Sequence, residues 1–205
     1  MMVYSVHVLQ PGYSRVESDG CTANGSSTLI IGPKYKVVVD TLSPWDKDKM
    51  VTALATHGVA PSQVTHLVCT HGHPDHVGNN NLFTGEGVLH IVGWSVYSRD
   101  KYTDHPFNMG EVFRIDGEDL MVMATPGHTL DSVSVKVNTD NGVVVVAGDL
   151  FEKQDDLADD SIWKEAGSED EVQQEKNRRK VLEMADFIVP GHGPMFKVLH
   201  SKSMK

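Results

Sequence analysis

Positive charge is what this 205-residue chain is short of. Its 18 Lys and Arg stand against 28 Asp and Glu, a net charge of −10 with His neutral. Bulk electrostatic binding of nucleic acid needs a basic patch, so the composition is a poor match for it. Cysteine is nearly absent. Cys21 and Cys69 cannot build a disulfide framework, and both are expected to be reduced, Cys69 as a small hydrophobe in a core strand. Long apolar runs are missing as well, so no membrane span is expected, and the segment Met1 to Val8 lacks the basic start of a secretory signal. These lacks leave a soluble protein of the cytoplasm or nucleus as the expectation. With 40% hydrophobic residues the chain can bury a sizeable core, and residues 1–205 are expected to form one domain.

What is abundant is histidine at one place. Thr70-His71-Gly72-His73-Pro74-Asp75-His76 puts three imidazoles and a carboxylate within six positions. The run before it, Val64 to Cys69, is short, apolar and partly β-branched, which predicts a buried strand. In open sheets with outer helices, ligands bind where strands end.

The rest of the chain supplies similar strand ends. Residues 3–10 predict a first strand, and the Gly-, Ser- and Asn-rich stretch Pro11 to Ser27 predicts a loop. Thr28 to Ile31 and Lys36 to Val39 predict a hairpin ending at Asp40. Ser43-Pro44 predicts a helix start, with Met50, Val51, Leu54 and Ala55 as its apolar stripe and Gly58 as its stop. A short helix is expected over 77–83, a strand over 88–92 and an exposed loop over 105–108. Hairpin signals follow at Asp116-Gly117 and Asn141-Gly142. Phe151 to Gly167 is acidic and irregular. Ser168 and Glu171 have capping-box spacing for a helix reaching about Ala185, and Phe187 to Val189 predicts a last strand.

Four apolar strands are thus followed by metal-capable side chains: the cluster at 71–76, His128, Asp149 and His192. Alone, a His beside Pro-Gly is a turn residue and an Asp after Gly is a helix cap. Together, at the same kind of strand terminus, they can meet at one sheet edge. Imidazole and carboxylate donors suit zinc, and also iron or manganese. Two such ions about 3.5–4 Å apart share a water, whose pKa near zinc falls toward about 7.

The motifs His71-Gly72-His73-Pro74-Asp75-His76, Gly127-His128, Gly148-Asp149 and Pro190-Gly191-His192-Gly193 resemble those of the metallo-β-lactamase superfamily, with Asp40 as the first of five motifs in order. The resemblance implies an α/β fold, a four-layer αββα sandwich. It implies one ion on His71, His73 and His128, a second on Asp75, His76 and His192, and Asp149 bridging them. Asp40 would orient a ligand from behind. The chemistry implied is hydrolysis by a metal-bridging hydroxide with two Zn(2+), Asp75 orienting the hydroxide or taking its proton.

The wording Cys69-Thr70-His71-Gly72-His73, His76-Val77-Gly78-Asn79 and Gly148-Asp149-Leu150-Phe151-Glu152 is similar to one branch of that superfamily. That likeness implies an endoribonuclease on histone pre-mRNA 3′ ends, homodimeric, in cytoplasm and nucleus. The acidic composition and the acidic stretch Glu152 to Asp160 pull against an RNA substrate. Arg15, Lys101 and Lys153 are the candidate cations, and Tyr102 and His105 the candidate substrate contacts. Glyoxalase II-like thioester hydrolysis is the alternative, with a small ester or thioester as partner. Against it, Gly78-Asn79 stands where those enzymes have Gly-Gly, and little chain follows His192. A mononuclear-iron sulfur dioxygenase is a further alternative, opposed by the intact Asp75, His76 and His192. The other six histidines (His7, His57, His66, His90, His105, His200) are expected to be structural or at the surface.

Overall fold

Short apolar segments between turn residues become strands throughout the computed structural model, which describes residues 4–200. Strand β1 (Ser5–Gln10) leads into β2 (Tyr13–Glu17), β3 (Gly20–Asn24), β4 (Ser27–Ile31) and β5 (Lys36–Val39). A 3-10 turn, Pro44–Asp46, starts helix α1 (Lys47–Thr56), and β6 (His66–Cys69) and the one-turn helix α2 (Pro74–Val77) follow. Strands β7 (Leu89–Val92), β8 (Ser95–Ser98) and β9 (Lys101–Thr103) complete the first half. The second half runs β10 (Phe113–Asp116), β11 (Leu120–Ala124), β12 (Val133–Thr139), β13 (Gly142–Gly148), α3 (Ser161–Glu165), α4 (Glu171–Met184), β14 (Phe187–Pro190) and β15 (Phe196–Lys197). One sheet has the order β1-β4-β5-β6-β7-β8-β9 and the other β10-β11-β12-β13-β14-β15; β2 and β3 form a separate hairpin. Both large sheets are mixed, with β5, β6 and β7 parallel in the first and β13 and β14 parallel in the second.

Successive side chains on a strand point to opposite faces, and here each face has its own apolar cluster. Val37 and Val39 of β5 meet Val144 and Val146 of β13 between the sheets. Val38, one residue out of phase, packs instead with Leu67 and with Met50 and Leu54 of α1. Val145 and Ala147 pack with Ile188 and with Val181 of α4 on the other outer face. Three clusters between four layers make the αββα sandwich. No described helix is long and apolar enough to cross a membrane.

Several local expectations change. Pro11 to Ser27 is not a loop: Tyr13 pairs with Asn24 and Glu17 with Gly20, leaving a two-residue turn. Both faces of this ribbon are largely exposed, so no apolar alternation announces it. The 105–108 stretch is not an exposed loop either, since it enters a 3-10 turn whose Phe107 is buried. The 77–83 helix is two separate turns, Pro74–Val77 and Asn80–Leu82. Helix α4 is capped by Asp170, whose side chain accepts from the Gln173 amide at 2.9 Å, and not by Ser168, which donates to the Gly127 carbonyl at 3.2 Å. On α1, Met50 and Leu54 are buried while Val51 and Ala55 face outward. The acidic stretch after Phe151 folds into the turn Gln154–Leu157 and α3.

That acidic stretch is anchored from inside. Asp156 is wholly buried, and Arg178 of α4 donates to its Oδ1 at 2.9 Å, to its Oδ2 at 3.1 Å and to the Leu150 carbonyl at 2.8 Å. The guanidinium also lies 4.3 Å from the Phe151 ring centre. Gln174, one turn earlier on α4, donates to the Asp149 carbonyl at 3.0 Å. Helix α4 therefore holds the loop that begins at Asp149. Replacing Arg178 by Ala leaves a buried carboxylate without its partner, which costs about 3–5 kcal/mol. We expect urea unfolding of Arg178→Ala to show a loss of that size.

Candidate metal centre

Five strand ends converge on one point. Asp40 follows β5, Thr70 and His71 follow β6, His128 follows β11, Asp149 follows β13, and His192 follows β14. Gly148 (φ +55°) is required at the turn, because a Cβ there would lie 2.4 Å from Thr70 Oγ1. Among the described residues, His71, His73, His128 and Asp149 offer donor atoms all within 4.8 Å of one another, and so do Asp75, His76 and His192.

The outer nitrogen of each buried imidazole is committed. His76 Nδ1 donates to Asp40 Oδ2 at 2.9 Å. His128 Nδ1 donates to the Gly167 carbonyl at 2.7 Å, and His192 Nδ1 to the Asn24 carbonyl at 3.1 Å. Thr70 Oγ1 donates to Asp40 Oδ2 at 2.9 Å, so it accepts from His71 Nδ1 at 3.1 Å. Asp40 Oδ1 also accepts from the Thr70 amide at 2.7 Å. Fixing the outer proton turns Nε2 of His71, His76, His128 and His192 inward with its lone pair, as a candidate metal donor. His73 turns Nδ1 inward, 2.9 Å from His71 Nε2 and 3.1 Å from His128 Nε2.

Charge is organised around Asp149, which is 5% exposed. Its Oδ2 lies 3.1 Å from His192 Nε2, 3.4 Å from His128 Nε2 and 3.7 Å from His71 Nε2. Its Oδ1 lies 3.2 Å from His76 Nε2, yet both atoms are buried without a hydrogen-bond partner. Burial opposes ionisation of Asp149, but His76, His192 and His71 outweigh it and hold the carboxyl well below its usual range. Burial, with neighbouring imidazoles, depresses His71 and His128. At His76 and His192 burial is outweighed by the charge of Asp149, joined at His76 by Asp40, and both are raised, His192 to about 9. The site thus draws positive charge to inward-facing nitrogens beside a buried carboxylate. Converging imidazole lone pairs and orphaned buried atoms fit a divalent cation, as imidazole and carboxylate donors do chemically.

A cavity of about 450 Å³ opens on these residues, lined by His73, Asp75, His128, Asp149 and His192. Ser14, Val16, Cys21 and Ala23 of the β2–β3 hairpin wall one side, and Glu152, Lys153 and Glu165 another. The structure therefore brings together His71, His73, Asp75, His76, His128, Asp149 and His192, with Asp40 directly behind.

It does not bring Lys101, Tyr102 and His105 there. Strand β9 is the edge strand three positions from β6, about 14 Å at the usual strand spacing of about 4.8 Å. Tyr102 and His105 line a different cleft with Trp94 and Asn108. His105 packs on Phe107 and Phe113 and reaches the Glu111 carbonyl at 3.3 Å. Of the three candidate cations, only Lys153 reaches the metal cavity.

One residue beside the centre had no role assigned from the sequence. Glu152 is 3% exposed and accepts from Ser14 Oγ at 3.1 Å. Burial first, and the charge of Asp149 next, push its carboxyl up to about 7. Its place three residues after Asp149, in a turn whose Leu150 and Phe151 are buried, is the signal that could have marked it.

The chain belongs to the metallo-β-lactamase superfamily, whose sequence profile matches residues 22–192. It is a metallo-hydrolase of that superfamily, with a fold that binds divalent metals. Among curated proteins it is similar to metallo-beta-lactamase domain-containing protein 1 of Xenopus laevis, 48% identical over 96% of this chain and 82% of that one. The human protein of the same name is 40% identical over 98% of this chain and 84% of its own length. Among solved structures, a metallo-beta-lactamase-type protein of Thermotoga maritima superposes with a TM-score of 0.68 at 19% identity, covering 95% of this chain and 99% of the other.

Asp40 does not line the metal cavity, yet it orients His76 directly and His71 through Thr70. Outer partners of this kind are worth 10–100-fold in metal affinity. Asp40→Asn presents an amide N–H where one acceptor stood. Chelator competition should show metal binding weakened by about 10–100-fold, and unchanged affinity would mean that Asp40 does not orient the ligands.

Proposed function

We propose that the protein is a binuclear metal-dependent hydrolase. His71, His73 and His128 would hold one ion, Asp75, His76 and His192 the other, with Asp149 placed between the two donor sets. The single observation that carries this is the pair of donor clusters meeting at one buried carboxylate. Zinc suits the donors, and iron or manganese can use the same set. When bound, such ions bring the pKa of water toward about 7 and polarise the substrate oxygen.

The chain's own side chains do the remainder. The Asp75 side chain is 21% exposed, and its Oδ2 lies 3.8 Å from His76 Nε2 and 3.9 Å from His192 Nε2. It faces the cavity, where it orients an attacking water and can take its proton. Asp40 keeps His76 in the tautomer that turns Nε2 inward. The hairpin wall limits access of bulk water to the cavity.

The motif wording shared with one branch of the superfamily supports a phosphodiester of single-stranded RNA as the scissile bond, at histone pre-mRNA 3′ ends, by a homodimer working in cytoplasm and nucleus. A second reading is favoured by the cavity wall. Beyond the proposed metal donors, Glu152 and Glu165 face the single lysine Lys153. Such a wall accepts a compact uncharged ester, lactone or thioester more readily than a chain of phosphates. A glyoxalase II-like hydrolase belongs to that second class.

One set of measurements tests both levels. Metal analysis of the purified protein should give about two zinc ions per chain on this reading. Parallel assays on single-stranded RNA, a thioester and a lactone then name the bond. Asp149→Ala should lower turnover by more than the 10–100-fold of an outer partner. Full turnover by Asp149→Ala with one ion per chain would sink the binuclear reading, and a single iron would favour an oxidative enzyme.

A further inference from the structure

Glu152 is a buried acid that the ligand set above does not use. It sits beside the centre without a Lys or Arg within ion-pair distance among the described residues. One carboxylate oxygen accepts from Ser14 Oγ; the other has no hydrogen-bond partner among the described residues, on a side chain that lines the metal cavity. Asp149, Glu152 and His192, all buried, offer donor atoms within 4.8 Å of one another. This triad shares His192 with the Asp75 and His76 cluster and Asp149 with the His71, His73 and His128 cluster. Buried carboxylates are matched by a cation or a metal, and hard oxygen donors within that span can share one ion.

We propose that Glu152 is an eighth donor of the centre, contributing a carboxylate oxygen to the second ion through the triad it forms with Asp149 and His192. The inference rests on the binuclear reading. The second ion then gains a further carboxylate besides Asp75 and Asp149, and the partly exposed Asp75 carboxylate is left freer to serve the attacking water. The Ser14 hydroxyl donates to one Glu152 oxygen from the hairpin side and leaves the other facing the cavity.

The competing role for Glu152 is a latch that ties the hairpin down through Ser14. Glu152→Gln separates the two, because its amide oxygen can still accept from Ser14 while the negative donor is gone. Ser14→Ala does the reverse. The apo proteins are titrated with Zn(2+) against a chromophoric chelator, and with Co(2+) to record the d–d absorption of each site. Glu152→Gln should hold the first ion as wild type does, which also reports correct folding, and bind the second at least about tenfold more weakly with an altered second Co(2+) spectrum. Ser14→Ala should bind both ions within about twofold of wild type. Two wild-type-like sites in Glu152→Gln, or an equal loss in Ser14→Ala, would overturn the donor role and leave the binuclear reading standing. Wild-type protein that saturates at one ion would overturn both.

Discussion

A carboxylate held out of water at the meeting of two sheets is the constraint on which the rest of this structure depends. Asp149 is 5% exposed and follows β13, with imidazoles of His71, His76, His128 and His192 between 3.1 and 3.7 Å away. An isolated buried charge of this kind costs several kcal/mol. It is tolerable because it draws positive charge onto His76 and His192, and that arrangement lasts only if the surrounding imidazoles cannot turn away. That explains why the outer nitrogens end on fixed acceptors: the Asp40 carboxylate, the Thr70 hydroxyl, and the Gly167 and Asn24 carbonyls. The site is a set of ring orientations as much as a set of ligands.

The backbone is bent to provide those acceptors. Asp40 and Leu42 both have φ of +59°, a region that non-glycine residues rarely occupy and that costs about 1–3 kcal/mol each. The conformation survives because the Asp40 carboxylate collects three hydrogen bonds, from the Thr70 amide and hydroxyl and from His76, while the Thr41 amide donates to the His76 carbonyl at 2.8 Å. Strain at the end of β5 is thus offset by order at the end of β6. The parallel pairing of those strands places the two ends side by side. The second sheet repeats the device, since parallel β13 and β14 bring Asp149 and His192 together.

How much of this could be read from the sequence depends on what each part requires. Metal binding requires particular atoms, so candidate donors are spelled out as residue types: His71, His73, Asp75, His76, His128, Asp149 and His192 were all legible, and the structure brings them together. The strands were legible as apolar runs and the sandwich through the resemblance of the motifs, although valine-rich β5 and β13 are buried on both faces and could not say which valine faces which layer. The α4 cap lay two residues beyond the expected Ser168, because Ser168 is used by the Gly127 carbonyl and Asp170 is free to cap. Cavity walls require only shape. Ser14, Val16, Cys21 and Ala23 carry no common chemistry, and the ribbon that presents them has no buried face, so neither its strands nor its role left a pattern.

That ribbon changes how substrate choice should be assigned. Its base is locked to the centre: the paired residues Tyr13 and Asn24 both offer carbonyls to His192 Nδ1, at 3.2 and 3.1 Å. Gly25 lets the chain pass so close that a Cβ there would stand 2.7 Å from the Asp75 carbonyl oxygen and 2.9 Å from His76 Cε1. Its outer half, by contrast, is exposed, with Val16 85% accessible over the cavity. A segment fixed at one end by His192 and exposed at the other can shape the cavity without supplying any of the candidate donors. The chemistry of the centre is therefore set by strand ends buried in the scaffold. The way in is walled by an exposed hairpin on one side and by Lys153 and Glu165 on another. The candidate donors are fixed by residue type and the wall by shape, so the sequence speaks for the first far more than for the second.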